Sequence, residues 1–261
     1  HLHQPTLANQ RTQVPKAGIF ARHAAEAFSK SGVDVQTVRL ATLPFGSFLT
    51  PEDYANATTQ IEVLAHSEGF EYAALGPAQT QSLQEYRAIP EMLAKSGNLF
   101  FSGHLTTPAG EVSLPAVRAC AEIIHRAASL EANGFANLRF AALANVGPWA
   151  PFFPAAYHQG KGTAFALAME AADLAVSAFS EAKSLAEARS LLIDSIETHA
   201  NQLIKTAQTL AAAYEMEFKG LDFTLAPFPE FECSLGYALE QLGLPAVGLS
   251  GTLAAAAFLT D

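Results

Sequence analysis

The residues best suited to proton transfer lie in one unusual segment, residues 145–162. Three prolines stiffen this segment, and its aromatic side chains give it an apolar surface. It also carries Tyr157 and His158 as neighbours, and an imidazole gains or loses its proton near neutral pH. We therefore predict that His158 carries protons and that Tyr157 donates a hydrogen bond to a bound molecule.

Further side chains in this segment and just beyond it are suited to holding a substrate. We predict this role for Trp149, Phe153, Lys161 and Glu170. The opposing interpretation is that the segment only covers the core, with His158 hydrogen-bonded to the backbone. For Glu170, the alternative is the polar edge of a largely apolar helix.

Carboxylates occur in a second stretch that is rich in proline. Asp222 lies in a predicted strand, and Glu230 follows Pro229. A carboxylate facing His158 would orient the imidazole or share its acid–base work. We predict Asp222 or Glu230 in that catalytic role, and solvent exposure is the structural alternative for each carboxylate taken alone.

The motifs of common cofactors and metals are absent from the sequence. HExxH, GxSxG, GxGxxG and CxxC do not occur, so the sequence supports no metal, serine-hydrolase or dinucleotide class and leaves the cofactor unknown. His1 and His3 have a metal-like spacing, but a flexible tail is the preferred interpretation. Gly160-Lys161-Gly162 lacks the phosphate-loop spacing, although its backbone could cradle an anion before a predicted helix.

The amino-acid composition limits the kinds of partner that we expect this protein to bind. A formal net charge of −10, from 25 acidic and 15 basic residues, would repel nucleic acid. No run approaches the roughly 20 apolar residues that a membrane helix requires. The only cysteines, Cys120 and Cys233, lack redox or zinc spacing, and no signal-peptide pattern opens the chain. We expect a soluble, cytoplasmic protein whose partner is a small molecule.

Predicted strands and helices alternate along the chain. We predict strands at residues 33–40, 70–75, 98–102, 138–144, 218–225 and 246–249. We predict helices at residues 14–31, 50–69, 83–86, 91–95, 114–131, 163–179, 185–214, 234–242 and 252–259. This alternation predicts a mainly parallel sheet, open or closed, in a single α/β domain spanning residues 1–261.

In such folds, ligands bind where strands lead into loops at their carboxyl ends. The loops to inspect are residues 44–50, 103–113, 145–162 and 226–232. The chain starts at His1 without a methionine and stops at Asp261 inside a helix-like run, so we expect it to be part of a longer protein.

Three ordered stretches carry a family resemblance: Pro151-Phe-Phe-Pro-Ala-Ala-Tyr-His with Gly162-Thr-Ala-Phe-Ala-Leu and Glu170-Ala-Ala-Asp; Leu221-Asp-Phe-Thr-Leu-Ala-Pro-Phe-Pro; and Gly251-Thr-Leu-Ala-Ala-Ala-Ala-Phe-Leu-Thr-Asp. Through them, most of the chain resembles the domain-of-unknown-function 711 (UPF0210-type) family. Members of that family resemble the pyruvate formate-lyase and ribonucleotide reductase barrels.

The resemblance implies a closed, ten-stranded α/β barrel with mainly parallel strands, helices outside, and two antiparallel halves around a central finger loop. It also implies that family members continue past Asp261. Together with the absence of a methionine before His1, this predicts a chain that is incomplete at both ends. Radical chemistry is not expected, because Gly236-Tyr237-Ala238 follows Cys233 where a glycyl-radical enzyme has arginine.

These observations favour a non-radical enzyme that performs acid–base chemistry on a small polar metabolite. The alternative is a ligand-binding or regulatory protein on an enzyme-like barrel, without turnover. A third interpretation makes Trp149, Phe152 and Phe153 an exposed apolar patch that assembles a homo-oligomer.

Overall fold

The computed structural model describes residues 7–260, with side chains from residue 12 onward. His1 and His3 lie outside the described residues. About half of the chain is helical, and all four pairings between named strands are parallel, which confirms the predicted mixed α/β class with parallel sheets. The chain divides after Thr163 into two compact units. The prediction of a single domain stays a prediction.

The first unit contains a four-stranded parallel sheet whose strands follow each other in sequence order, β1-β2-β3-β4. The strands are β1 (Arg39–Pro44), β2 (Tyr72–Ala78), β3 (Leu99–His104) and β4 (Phe140–Leu143). The helices are α1 (Leu7–Lys30), α2 (Tyr54–Ser67), α3 (Leu83–Ala94), α4 (Leu114–Ala127) and the short α5 (Phe135–Leu138). Because parallel strands share one direction, all four carboxyl ends lie at the same edge.

The core of this unit lies on one face of the sheet. Leu75 and Phe101 are fully buried there, together with Ile89 and Met92 of α3. Neighbouring side chains along a strand point to opposite faces, so Phe100 belongs to the other face. Burying aliphatic and aromatic side chains on this scale is the main stabilising contribution, at roughly 2 kcal/mol for each large side chain.

Three predicted boundaries in the first unit are wrong. The strand predicted at residues 33–40 begins only at Arg39, because pairing with β2 starts where Arg39 meets Tyr72. Residues 83–94 form one helix rather than two, because the burial of Pro90 and its neighbours outweighs the hydrogen bond that proline cannot donate. Leu138 belongs to α5 rather than to a strand, and β4 starts at Phe140.

The second unit has a two-stranded parallel sheet and four α-helices among its described residues. Its elements are β5 (Ala164–Ala168), α6 (Ala172–Glu181), α7 (Leu185–Tyr214), β6 (Glu217–Asp222), α8 (Leu235–Gln241) and α9 (Thr252–Thr260). Phe179, Ala188 and Ala238 are buried together at its core. At the start of α7, the Ser184 side chain accepts from Glu187 N–H, and the Glu187 carboxylate accepts from Lys183 N–H.

Two predictions in the second unit are wrong. Residues 163–179 were predicted as one helix, but residues 164–168 form β5, whose alanine-rich sequence carries no strong strand signal and which is held by pairing with β6. Residues 246–249 form turns rather than a strand. In the part of the chain that the structure describes, no helix has both the length and the apolar character required to cross a bilayer.

Candidate functional site

The segment that follows β4 runs from Ala144 to Thr163 without a helix or strand. The backbone N–H of His158 donates to the carbonyl oxygen of Thr42, in β1, at 2.9 Å. The backbone N–H of Trp149 donates to the Tyr157 carbonyl oxygen at 3.1 Å, so the two ends of residues 149–157 are hydrogen-bonded to each other. The segment therefore turns back from β4 and is fixed to the opposite edge strand of the sheet.

Aromatic contacts place the middle of this segment on the sheet face opposite the helices. The Phe153 ring lies 5.4 Å from the ring of Phe100, at an angle of 61°. The Arg39 guanidinium lies 5.4 Å from the centre of the Phe153 ring, a cation–π distance. Trp149, Phe152 and Phe153 are half-buried rather than fully exposed.

Tyr157 contacts a histidine that the sequence did not identify as part of a site. Its ring meets His104, the last residue of β3, edge to face with centres 5.6 Å apart. Burial lowers the pKa of His104, so its imidazole is neutral at pH 7. Burial also raises the pKa of Tyr157, whose hydroxyl donates to the Val146 carbonyl at 3.1 Å. A donor role toward a ligand would require Tyr157 to release Val146.

His158 lies against Trp149. The two rings are perpendicular, with centres 4.6 Å apart, and both residues are half-buried. Tyr157 and His158 thus place two imidazole–aromatic pairs side by side, one through His104 and one through Trp149. Both pairs belong to the carboxyl edge of the first sheet, because His104 ends β3 and Thr42 lies near the end of β1.

Lys161 is exposed in the bend that precedes β5. The anion site suggested for Gly160-Lys161-Gly162 required a helix after it. That expectation is wrong, because a strand follows instead and supplies no helix N-terminus.

Glu85 is a second polar group at the carboxyl edge that sequence reasoning missed. Its residue is only 6% exposed, and its carboxylate accepts from Gln79 N–H at 2.8 Å. Burial raises the pKa of Glu85. Burial and the nearby Glu85 charge also raise the pKa of Tyr54 to about 12. The Ser82-x-x-Glu85 spacing, which resembles a capping box, was the available signal.

The predicted carboxylates lie in the second unit. Asp222 ends β6, is half-buried, and accepts a hydrogen bond from the Thr224 hydroxyl. Glu170 is exposed and pairs through its backbone with Leu225 in an isolated antiparallel bridge. Glu230 is exposed in the loop before a short 3-10 helix, Phe231–Cys233. The proposal that Asp222 or Glu230 orients His158 stays a prediction.

The structure brings Glu170 and Glu230 into one acidic neighbourhood around Cys233. Partial burial raises the pKa of the Cys233 thiol, and the charges of Asp173, Glu230, Glu232 and Glu170 raise it further. A raised pKa keeps the thiol protonated at pH 7 and therefore weakly nucleophilic. Residues 12–260 contain no group of three or more His, Cys, Asp or Glu arranged to hold a metal ion.

Fold and site together define a mixed α/β protein with imidazole and phenol groups at the carboxyl edge of a parallel sheet. The chain belongs to the family described as Uncharacterised ACR (DUF711), whose family model matches residues 4–261. This confirms the resemblance that the three sequence stretches indicated.

Relatives come from both archaea and bacteria. A UPF0210 protein of Pyrobaculum islandicum is 30% identical over 256 residues, covering 89% of this chain and 54% of the relative. UPF0210 proteins of Lachnospira eligens and Methanococcus aeolicus are 24% and 25% identical, covering 88% and 95% of this chain and 54% and 59% of the relatives. The chain thus spans about half the length of the relatives it matches. Their descriptions state no specific function.

Proposed function

We propose that the carboxyl edge of the first sheet performs acid–base chemistry on a small polar metabolite, with His158 as the proton carrier. The observation that carries this proposal is the Tyr157–His158 pair, which sets one imidazole against Trp149 and a second, His104, against Tyr157. Carboxyl edges of parallel sheets are the usual ligand sites of α/β proteins.

The His104 imidazole, next to Tyr157, is suited to accepting a proton. His104 is kept neutral by burial, so it can accept a proton without first losing one. Tyr157 serves as a positioning residue for His104 and can accept a hydrogen bond while its own proton is engaged with Val146. Trp149 and Phe153 supply the apolar wall beside these groups, and exposed Lys161 would attract an anionic substrate to the segment.

A metabolite screen followed by substitution of His158 tests this proposal. His158→Ala should reduce turnover of any substrate found by at least about a hundredfold, the usual contribution of a general acid or base. Its melting temperature should stay close to that of wild type. His125→Ala, which removes an exposed histidine from α4, is the matched control and should keep full activity. Unchanged activity in His158→Ala would eliminate the role.

The second candidate is a ligand-binding or regulatory protein without turnover. The half-buried Trp149 ring favours it, because such a ring can stack on a metabolite. In a thermal-shift screen, this candidate predicts a ligand that raises the melting temperature and is recovered chemically intact. Recovery of a chemically altered ligand would contradict this candidate and support the enzyme.

For the whole fold we propose the closed barrel of the pyruvate formate-lyase type. The sequential order β1-β2-β3-β4 supports it, because right-handed crossovers then place every connecting helix on one face, as in barrels. Doubly wound sheets reverse their strand order instead. An experimental structure of a full-length relative should show the sheet closing. An open sheet with helices on both faces would contradict the proposal.

We also propose a cytosolic location, supported by the free thiols of Cys120 and Cys233. Fractionation of cells that express the full-length protein should recover it with cytosolic markers. Recovery with secreted or envelope fractions would contradict this location.

A further inference from the structure

A groove lies between the first turns of α3 and α4, outside the residues of the proposed active site. Its volume is about 440 Å³, which falls within the usual range for small-molecule sites. Leu83 and Arg87 line one wall, and Leu114 and Arg118 line the other, with Pro115, Ala119 and Glu122. Each helix thus contributes a leucine at its first position and an arginine one turn later, a spacing that puts both on one helix face.

The charge in this groove is unbalanced. The side chains of Arg87 and Arg118 form no ion pair or hydrogen bond with any residue that the structure describes. The one carboxylate in the lining, Glu122, lies 4.0 Å from Arg126. The groove therefore carries positive charge on a chain whose formal net charge is −10.

Part of the apolar lining is exposed to solvent. Leu114 is 68% exposed and lies four residues before Arg118, on the same face of α4. A purely inorganic anion would leave this surface in water, whereas an organic anion with an aliphatic part would cover it. An aliphatic carboxylate or phosphate ester satisfies both features.

We propose that the groove between α3 and α4 binds a small organic anion with an aliphatic part, through Arg87 and Arg118. The guanidinium groups form charge-assisted hydrogen bonds with the anionic head. Leu83, Leu114 and Pro115 cover the aliphatic part. This site does not depend on the proposed acid–base chemistry.

Titration of the full chain with octanoate, followed by NMR chemical shifts and calorimetry, tests the proposal. Octanoate should bind saturably and shift the resonances of residues 83–87 and 114–119. Octanol, which lacks the charge, and inorganic phosphate, which lacks the aliphatic part, should each bind at least about tenfold more weakly. Equal binding of octanol or phosphate, or no saturable binding of octanoate, overturns the proposal.

Substitutions of single residues that line the groove test whether octanoate binds there. Arg87→Gln and Arg118→Gln should each weaken octanoate binding about tenfold, since each removes a charge-assisted contact. Glu122→Gln should strengthen it, because it removes the only negative charge in the lining. Arg22→Gln, in α1, removes an exposed arginine that donates to the Glu68 carbonyl and should leave the affinity unchanged. Equal effects of Arg22→Gln and Arg118→Gln would show non-specific charge attraction and overturn the site.

Discussion

At the scale of single residues, burial sets the protonation of the groups at the carboxyl edge. His104 loses affinity for protons because its charged form would be desolvated, whereas Glu85 gains affinity for the same reason. Both therefore favour the neutral form, in which the His104 imidazole can accept a proton and the Glu85 carboxyl group can donate one. Neither residue carried a recognisable sequence motif for chemistry.

Replacing Glu85 by glutamine tests the burial of this carboxylate. The pKa of Glu85 is raised in the folded protein, so its contribution to stability is fully present below the unfolded pKa of about 4.5 and is lost as pH rises through the folded pKa. Glutamine does not ionise, and its amide oxygen can still accept from Gln79 N–H. Relative to wild type, Glu85→Gln should become more stable as pH rises from 4.5 to 7.5.

Urea unfolding of both proteins at several pH values measures this difference, and other titrating groups cancel in the comparison. Glu91→Gln, in the same helix, is the control: its carboxylate is exposed and pairs only with Lys95. A constant difference between Glu85→Gln and wild type would show that Glu85 ionises as it does in water.

At the scale of elements, β1 and β2 approach so closely that only glycine fits between them. A Cβ atom on Gly76 would lie 2.6 Å from the Pro44 nitrogen and 2.7 Å from the Leu43 carbonyl oxygen. Both contacts are to backbone, which cannot rotate away. The pairing of β1 with β2 therefore depends on Gly76. Because Thr42 of β1 accepts a hydrogen bond from His158 N–H, the position of His158 depends on this pairing as well.

Gly76→Ala should lower the free energy of unfolding by about 3 kcal/mol, the upper range for overpacking a buried site. Gly147→Ala is the matched control, because no atom lies within 4 Å of its added Cβ and its backbone needs no left-handed conformation. Urea denaturation of the two variants should show a large loss for the first and almost none for the second. Equal stabilities would mean that the two strands are further apart.

Elements marked by local chemistry could be predicted from the sequence. Ser113 caps α4 by accepting from Ala116 N–H, and Ser184 caps α7 by accepting from Glu187 N–H; a serine directly before a helix-forming run is a common helix start. By contrast, β5 was taken for a helix because its alanines carry no strand signal and its partner, β6, lies far along the chain. The same holds for the candidate site. The Tyr157–His158 pair could be identified from the sequence, but its contacts with His104 and Thr42 could not, because those residues lie far away along the chain.

At the scale of the whole molecule, a buried arginine ties several elements of the first unit together. Arg139 is only 1% exposed and forms an ion pair with Glu131 at 2.7 Å. It also donates to the Leu93 carbonyl at 3.2 Å and the Ser96 hydroxyl at 3.3 Å. Its removal leaves several buried acceptors without a donor.

Arg139→Leu should destabilise the protein by about 3 kcal/mol, as breaking a buried pair does. Arg126→Leu removes an exposed arginine 4.0 Å from Glu122 and should cost less than about 1 kcal/mol.

Calorimetry of Arg139→Leu also tests the predicted single domain, because one domain unfolds in one transition that the substitution shifts as a whole. Two transitions, of which only one shifts, would contradict the single domain.

The proposed site depends on the Tyr157 ring, which packs against the His104 imidazole at the carboxyl edge of the first sheet. An NMR titration of the His104 imidazole in wild type, Tyr157→Phe and Tyr157→Ala tests this contact directly. We expect a pKa below the ordinary value of about 6.5 in wild type and in Tyr157→Phe, and a return toward that value in Tyr157→Ala, where water reaches the imidazole. An ordinary pKa in wild type, or the same pKa in all three proteins, would contradict the site.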